Sequence, residues 1–373
     1  MSVLGNTAIN FDDEQAMLLE YATNFCDAIG VGEIRARLEE PQPYPADTWQ
    51  QIVELGWPGI GIPEELGGSG IGISAAVPVI ESMGKVLLGT PLMSSLLTAQ
   101  LVLRADREAG ESLVAAIAGG SIGTVAALES EDWATSAIAA RVDANGQLSG
   151  AKRFVANGLA AQWIIAVVTD EHGNLALAVI DASGVPATNY RELSLIDLTQ
   201  RAVDMSLDGL TATQVLRGPA VEVALRDYRL LGALFVAADA TGAAASCLRI
   251  VVDYLTTRKQ FDKLIGSYQA LKHPSVEILN QVESSRSFIY HAATLVDAET
   301  LDRQAEVACR MAKAKATDTL AFAGDRAVQF HGGMGFTWDC DAQLYIRHAQ
   351  WAQQQFGDAQ HHRQALAPLL LDD

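Results

Sequence analysis

The chain has 373 residues, of which 49% are hydrophobic and 19% are charged, a balance typical of an ordered globular protein. Its 26 lysines and arginines stand against 45 aspartates and glutamates, which gives a net charge of −19. Such a charge disfavours general binding to nucleic acid or to an anionic membrane surface. An anionic ligand would have to bind where lysines or arginines are locally concentrated.

The N-terminal segment lacks the basic patch, apolar core and small-residue cleavage site of a secretory signal. No uninterrupted run of about 18 apolar residues occurs, which argues against a membrane-spanning helix. The four cysteines are widely scattered without metal-ligand spacing, and reduced thiols are the simplest interpretation: Cys26, Cys247, Cys309 and Cys340. We therefore expect a cytoplasmic protein with no metal site and no nucleic-acid or membrane partner.

Residues 1–120 are predicted to form an N-terminal helical domain. Apolar residues recur at helical spacing in residues 12–30 and 45–56, and each stretch ends at a glycine. The segment that follows, "LGWPGIGIPEELGGSGIG" at 55–72, is too rich in glycine and proline for a helix or a strand. We predict a structured loop there.

Residues 121–223 are predicted to form a middle antiparallel β domain. Short apolar runs alternate with turn residues, and "ANGQ" at 144–147 and "EHGN" at 171–174 are typical of hairpin turns. We interpret "TQVLRG" at 213–218 and "AVEVAL" at 220–225 as the last short runs of this β region.

Residues 224–373 are predicted to form a C-terminal domain similar to a four-helix bundle. The 3.6-residue period returns near Arg226 and continues through three long segments. The first two are rich in small residues that permit close approach of neighbouring helices. The predicted fold class is therefore α+β with several domains in the order α, β, α.

Two stretches of the C-terminal region carry candidate ligand contacts. Residues 258–273 concentrate cations at a helix end, where they could bind phosphate or pyrophosphate, or simply complement the helix dipole: Arg258, Lys259, Lys263, Lys272 and His273. Residues 329–338, "QFHGGMGFTW", contain three glycines that would let a ligand approach backbone N–H groups, although a helix end needs only one.

The segments at 55–72, 258–273 and 329–339 resemble, in this order and across essentially the whole chain, three signatures of the acyl-CoA dehydrogenase family. The resemblance implies FAD as cofactor and the oxidation of an acyl-CoA thioester to the trans-2-enoyl-CoA. A carboxylate removes the α-proton in that reaction, while the β-hydrogen leaves as hydride to the flavin. The resemblance also implies electron-transfer flavoprotein as the electron acceptor.

The positions that the resemblance assigns to the catalytic glutamate carry no acid here. A gapless count from Gly333 places Phe356 at the usual position, and the family's second location for this glutamate falls on Gly232. Asp358 is the fallback carboxylate, yet two residues along a helix correspond to a rotation of about 200°. We interpret His361 and His362 as a solvated helix face.

The middle domain departs from the family pattern in the same direction. A Thr-Glu-Pro-x-x-Gly-Ser-Asp-like loop is replaced by "ALESEDWATSA" at 127–137, and a Trp-Ile-Thr-Asn segment is replaced by "FVAN", so that Phe154 and Ala156 stand against the flavin position. The positions with which the family contacts a neighbouring subunit's FAD are retained: Arg258, Phe261, Gln269, Gln329, Gly332 and Gly333. Asp262 replaces a glycine usual in this segment.

Three hypotheses follow from these departures. The chain could be the base-less subunit of a heterotetrameric (α2β2) acyl-CoA dehydrogenase, similar to those of bacterial steroid and side-chain catabolism, with a glutamate-bearing partner subunit. It could instead be a self-sufficient flavoenzyme with Asp358 as relocated base, or with oxidase or monooxygenase chemistry. It could also be a non-enzymatic scaffold. Bound flavin would separate the scaffold from the first two hypotheses. A requirement for a second chain would separate the first hypothesis from the second.

Overall fold

A computed structural model describes residues 13–131, 133 and 138–371 of the chain, with side chains from Ala16 onward. Helices come first, strands follow, and a second set of helices closes the chain. This order confirms the predicted α+β class.

The N-terminal helices surround the glycine-rich segment. They are α1 (Asp13–Ala36), α2 (Thr48–Glu54), α3 (Ala76–Lys85), α4 (Leu92–Ala105) and α5 (Arg107–Ala118). The predicted end of the first helix at Gly30 is a kink with φ 68° and ψ 157°, beyond which the helix continues. Residues 55–72 contain only two short 3-10 turns between Gly56 and Gly72, in agreement with the predicted loop.

Two sheets form the middle of the chain. Their strands are β1 (Gly123–Ala126), β2 (Arg141–Val142), β3 (Leu148–Ser149), β4 (Ala151–Ala156), β5 (Trp163–Thr169), β6 (Leu175–Asp181), β7 (Tyr190–Glu192), β8 (Ala202–Ser206) and β9 (Gln214–Leu216). The larger sheet has the order β3-β2-β5-β6-β9 with β1 also on β5, and the smaller one has the order β4-β8-β7. Both predicted hairpins are confirmed.

The larger sheet is mixed rather than wholly antiparallel, because β1 and β2 run parallel to β5. Parallel pairing requires a long crossover between the strands. The chain between β1 and β5 supplies such a connection, since it includes three further strands.

The C-terminal elements begin earlier than predicted. They are α6 (Ala220–Thr257), the hairpin β10 (Lys259–Gln260) and β11 (Lys263–Leu264), α7 (Gln269–Ala293), α8 (Arg303–His331), α9 (Ala342–Gln354) and α10 (Ala359–Leu371). The strand interpretation of residues 220–225 was wrong. Val221, Ala224 and Leu225 are buried at helical spacing, so packing of one helix face selects the helix over a locally alternating pattern.

Helix α6 is the centre of the C-terminal half, with α3, α4, α7, α8 and α9 packed around it. It is long and apolar enough to cross a membrane, but its most apolar window is completely buried in the protein, as for a core helix. A Cβ on Gly242 would lie 1.9 Å from the Glu81 carbonyl oxygen, and one on Gly84 would lie 2.1 Å from that of Asp239. The backbones of α3 and α6 therefore touch where these glycines stand.

Candidate functional site

A cavity of about 90 Å³ lies where α3, α4 and α6 meet the middle sheets and the chain that follows α9. We call it the inner chamber. Its helical wall is apolar and includes Ile80, Met83, Met93, Leu97 and Val236, and its opposite wall includes Thr124, Ala127, Phe154, Ala156 and Asn157. The chamber thus joins the helical domains to the segment "FVAN" that the resemblance placed against a flavin.

The two positions assigned to the family glutamate meet at the edge of this chamber. A Cβ on Gly232 would lie 2.3 Å from the Phe356 ring, so glycine leaves the space that the ring occupies. The Phe356 ring stacks on Trp133 with centroids 4.5 Å apart and meets Tyr228 edge-on at 5.5 Å. Two independent sequence counts thus lead to adjacent positions, and neither residue can take a proton.

The turn at Phe356 is fixed by two buried side chains. Lys313 Nζ donates a hydrogen bond to the Gly357 carbonyl oxygen at 2.8 Å, and His362 Nε2 lies 3.0 Å from the Phe356 carbonyl oxygen. Burial lowers the pKa of Lys313 to about 7. Burial together with the charges of Lys313 and Arg310 lowers the pKa of His362 to about 3, so its neutral ring donates through Nε2. These contacts hold the Phe356 turn in place.

The fallback base Asp358 does not line the inner chamber. One of its carboxylate oxygens accepts the backbone N–H of His361 at 2.7 Å, the arrangement of a helix N-cap, at the start of α10. The interpretation of both histidines as a solvated face was wrong for His362, which is 2% exposed. The sequence could not reveal this burial, because it results from packing of α10 against α8.

A second cavity, of about 440 Å³, lies on the other side of the Phe356–Trp133 pair, and we call it the outer cavity. Its lining includes three arginines, Arg226, Arg229 and Arg310. The guanidinium of Arg229 makes no hydrogen bond or ion pair within the described part of the chain, whereas Arg226 pairs with Asp227 and Arg310 with Glu306. This cavity suits an anionic group, and the stacked aromatic pair separates it from the inner chamber.

The β-domain wall of the chamber is built from residues that fill space. Phe154 lies in the left-handed region with φ 52°, and the Arg153 guanidinium lies 5.1 Å from its ring centre. In the segment 127–137, Glu129 accepts the backbone N–H groups of Ala139 and Ala140 and pairs with buried Lys152. Residues 132 and 134–137 of that segment lie outside the described residues.

One acidic residue of the chamber escaped the sequence interpretation. Asp239 of α6 lines the inner chamber, and its Oδ2 lies 2.5 Å from Nε2 of buried His348. The other nitrogen of His348, Nδ1, lies 2.7 Å from Oδ2 of Asp197, which belongs to the chain before β8. A signal did exist, since Asp239 is the only charged residue between Leu231 and Leu248.

The residues predicted to contact a neighbouring subunit's cofactor lie elsewhere. Arg258 follows α6, Phe261 lies in the β10–β11 turn, Gln269 begins α7, and Gln329 lies near the end of α8, before Gly332 and Gly333. Tyr254 and His331 stack at 4.3 Å and so bring the ends of α6 and α8 together. All six predicted residues are exposed, and none lines the inner chamber. We call this group the distal rim.

Two further observations describe the distal rim. Asp262, which replaces a family glycine, has φ 59°, a left-handed conformation that aspartate tolerates better than most residues. Large apolar side chains are exposed beside the predicted residues: Phe261 at 85%, Phe336 at 73%, Trp338 at 54% and Met334 at 52%. Exposed aromatic residues next to a cation and glycines are typical of a surface that another molecule covers.

The inner chamber does not fit a flavin. Small-molecule sites commonly span about 300 to 1,000 Å³, whereas this cavity has about 90 Å³ and contains the side chains of Phe154 and Phe356 at its walls. The distal rim presents the Arg258 guanidinium, which suits an anionic pyrophosphate, beside Gly332 and Gly333, where a ligand can approach the backbone closely. The Gly332 N–H itself donates to the Gln329 carbonyl oxygen. Within the described residues, no group of three or more histidine, cysteine, aspartate or glutamate side chains could hold a metal ion.

Comparison with known proteins agrees with this architecture. Residues 12–120 match the N-terminal domain of acyl-CoA dehydrogenase, and residues 227–371 match its C-terminal domain. The chain is 28% identical to acyl-CoA dehydrogenase IpdE2 of Mycolicibacterium smegmatis over 333 residues, which are 87% of this chain and 88% of that protein. It belongs to the acyl-CoA dehydrogenase family, whose cofactor is FAD.

Solved structures show the same fold. A chain of the ChsE4-ChsE5 complex from Mycobacterium tuberculosis superimposes with a TM-score of 0.83 at 23% identity, covering 98% of this chain and 99% of that one. A chain of the Tcur3481-Tcur3483 steroid acyl-CoA dehydrogenase gives a TM-score of 0.83 at 22% identity, covering 96% of this chain and 98% of that one.

The buried His348 generates a prediction about stability and pH. Burial disfavours the imidazolium, but the charges of Asp239 and Asp197 outweigh this effect and raise the pKa of His348 from 6.5 to about 10. A raised pKa stabilises the fold fully below pH 6.5, and this contribution is lost as the pH rises through about 10. We expect His348→Gln to lower the urea midpoint strongly at about pH 6 and by much less at about pH 10.

The control for this prediction is His273→Gln, on an exposed residue of α7. Its midpoint should follow that of the wild type across the whole pH range. A constant difference between wild type and His348→Gln from about pH 6 to about pH 10 would show that the imidazolium charge does not stabilise the fold.

Proposed function

We propose that this chain is the base-less subunit of a heteromeric FAD-dependent acyl-CoA dehydrogenase. A partner subunit of the same fold supplies the catalytic glutamate and performs the α,β-dehydrogenation of an acyl-CoA. The chain described here completes the FAD site of that partner through its distal rim.

The contact between Gly232 and Phe356 carries this proposal. The two family positions for the glutamate are occupied by Gly232 and Phe356, which cannot accept a proton. The Phe356 ring fills the space beside Gly232. A single missing acid could be replaced from another helix. Here a packed aromatic cluster takes its place, which favours loss of chemistry in this subunit over relocation of the base.

The distal rim has a different character. Arg258 has an exposed guanidinium with no hydrogen bond or ion pair to the described residues, and Gln329, Gly332 and Gly333 are exposed as well. An unpaired cation beside uncovered aromatic side chains favours a surface that serves another chain. We infer that Arg258 donates to pyrophosphate oxygens and that the glycines allow close backbone approach. The bound flavin supplies the hydride acceptor.

The nature of the partner is part of the proposal. The names of the ChsE4-ChsE5 complex and of the Tcur3481-Tcur3483 steroid enzyme each join two gene products. By analogy, the partner here is a second acyl-CoA dehydrogenase chain, and the acyl group is of the steroid or side-chain type. Electron-transfer flavoprotein is the proposed acceptor.

The first test is the flavin content of the purified chain. Alone, it should hold little FAD, because the inner chamber lacks room for the ring system. Co-expression with a glutamate-bearing chain encoded by a neighbouring gene should give a complex that contains FAD and oxidises an acyl-CoA with an artificial electron acceptor. Flavin absorbance per chain measures the first quantity. Near-stoichiometric FAD in a homo-oligomer would contradict the proposal.

A second test addresses Arg258. In the assembled complex, Arg258→Gln removes a charge-assisted hydrogen bond worth about 1.5 to 3 kcal/mol, which corresponds to about a ten- to hundredfold loss of FAD affinity. Titration of the apo-complex with FAD measures the change. Arg249→Gln, on an exposed arginine of α6, should leave the affinity unchanged. Equal affinities for wild type and Arg258→Gln would assign Arg258 to the helix end alone.

A third test separates the proposal from a self-sufficient enzyme that uses Asp358. Asparagine is also a good N-cap residue, so Asp358→Asn should preserve α10 and the fold. Turnover by the assembled enzyme should fall less than about tenfold, whereas loss of a general base reduces rates by about 10² to 10⁴. A fall of about a thousandfold with FAD still bound would identify Asp358 as the base.

A further inference from the structure

The inner chamber contains a charged group that the proposed function does not use. The Asp239 carboxylate lines the chamber and belongs to a residue that is 8% exposed. One of its oxygens, Oδ2, contacts His348, and the other makes no hydrogen bond within the described part of the protein. The Asp239 side chain is 11% exposed, so this second oxygen is an acceptor that opens onto the chamber.

His348 holds the Asp239 carboxylate in one orientation. Its ring is fully buried between the Asp239 and Asp197 carboxylates, and Asp197 also accepts the backbone N–H and the hydroxyl of Thr199. Asp197 is satisfied by Thr199, so the unsatisfied acceptor is the free oxygen of Asp239 at the chamber wall.

A second polar atom of the chamber has no partner. Thr90 is 5% exposed and lines the chamber, and its hydroxyl oxygen Oγ1 is buried without a hydrogen bond to the described residues. Thr90 directly follows a turn that runs from Gly84 to Gly89. A Cβ on Gly84 would touch the Asp239 carbonyl oxygen, and a Cβ on Gly89 would touch the Thr199 carbonyl oxygen. These contacts pack the chain before Thr90 against α6 at Asp239 and against Thr199, and both Thr90 and Asp239 line the chamber.

We propose that the inner chamber binds a small apolar alcohol, whose hydroxyl group donates to the Asp239 carboxylate and accepts from the Thr90 hydroxyl. A hydroxyl group supplies both a donor and acceptor lone pairs, so it matches this pair of groups. The body of the ligand contacts the apolar wall of Ile80, Met83 and Leu97. This inference goes beyond the proposed function and does not depend on the partner subunit.

The size of the chamber limits the ligand. About 10 to 15 Å³ of such volume holds one water molecule, so 90 Å³ corresponds to a ligand of about six to nine heavy atoms. Cyclopentanol, with about six heavy atoms, is a suitable probe, and methylcyclopentane is the analogue of the same shape without the hydroxyl group. Cyclopentylamine tests whether the site prefers a cation.

The experiment measures binding of each probe to the purified full-length chain by ligand-observed NMR. We expect cyclopentanol to bind at least about tenfold more tightly than methylcyclopentane, because the hydrocarbon leaves Asp239 and Thr90 unpaired. Asp239→Asn and Thr90→Val should each weaken cyclopentanol binding about tenfold or more, the ratio expected for a lost hydrogen bond to a charged group. Their matched controls, Asp253→Asn and Thr256→Val, lie on the exposed side of α6 and should change nothing.

Several outcomes would overturn the proposal. They are equal binding of alcohol and hydrocarbon, a preference for the amine over the alcohol, and no binding of any probe. Thr90→Val keeps the test valid if Asp239→Asn impairs folding through His348, because the Thr90 hydroxyl makes no hydrogen bond to the described residues that the variant could lose. Flavin content is determined on the same preparation, so failure of the subunit proposal shows as bound FAD and remains distinct from failure of alcohol binding.

Discussion

The burial of α6 is the constraint on which the rest of the structure depends. This helix of 38 residues is surrounded by α3, α4, α7, α8 and α9, and the backbone of α3 touches it at Gly84 and Gly242. Contact at this distance is possible only where one residue lacks a side chain. The same helix carries Gly232 and Asp239 at the inner chamber and ends at Arg258 in the distal rim. Its position therefore fixes the distance between these two regions.

The chamber and the distal rim differ in construction although they belong to one fold. Around Phe356, packed side chains fill the space beside Gly232, and Lys313 and His362 hold the turn. At the distal rim, cations, glycines and aromatic residues are exposed. A large buried side chain can be accommodated when a neighbouring residue is small, as Gly232 is beside Phe356. Such a pair of substitutions need not disturb a surface at the far end of the same helix.

Polar groups inside the protein follow a strict pattern, which makes the exceptions informative. His348 is satisfied on both nitrogens, and Lys152 and Lys313 each reach an oxygen acceptor. Thr90 Oγ1 on the chamber wall is one of the few exceptions, since it is buried without a hydrogen bond to the described residues, whereas buried polar atoms are almost always paired.

The sequence by itself determined the order of helices and strands, the two hairpins and the glycine-rich loop, and its three motifs pointed to the family. These features depend on local periodicity, turn residues and spacing between motifs, all of which are encoded by neighbouring residues. It failed at residues 220–225 and at His362, and it overlooked Asp239. Tertiary structure decided three features: the helical conformation at Val221, the burial of His362, and the pairing of His348 with Asp197 and Asp239. Each depends on contacts between segments that lie far apart in the chain, and such contacts compete with local preference.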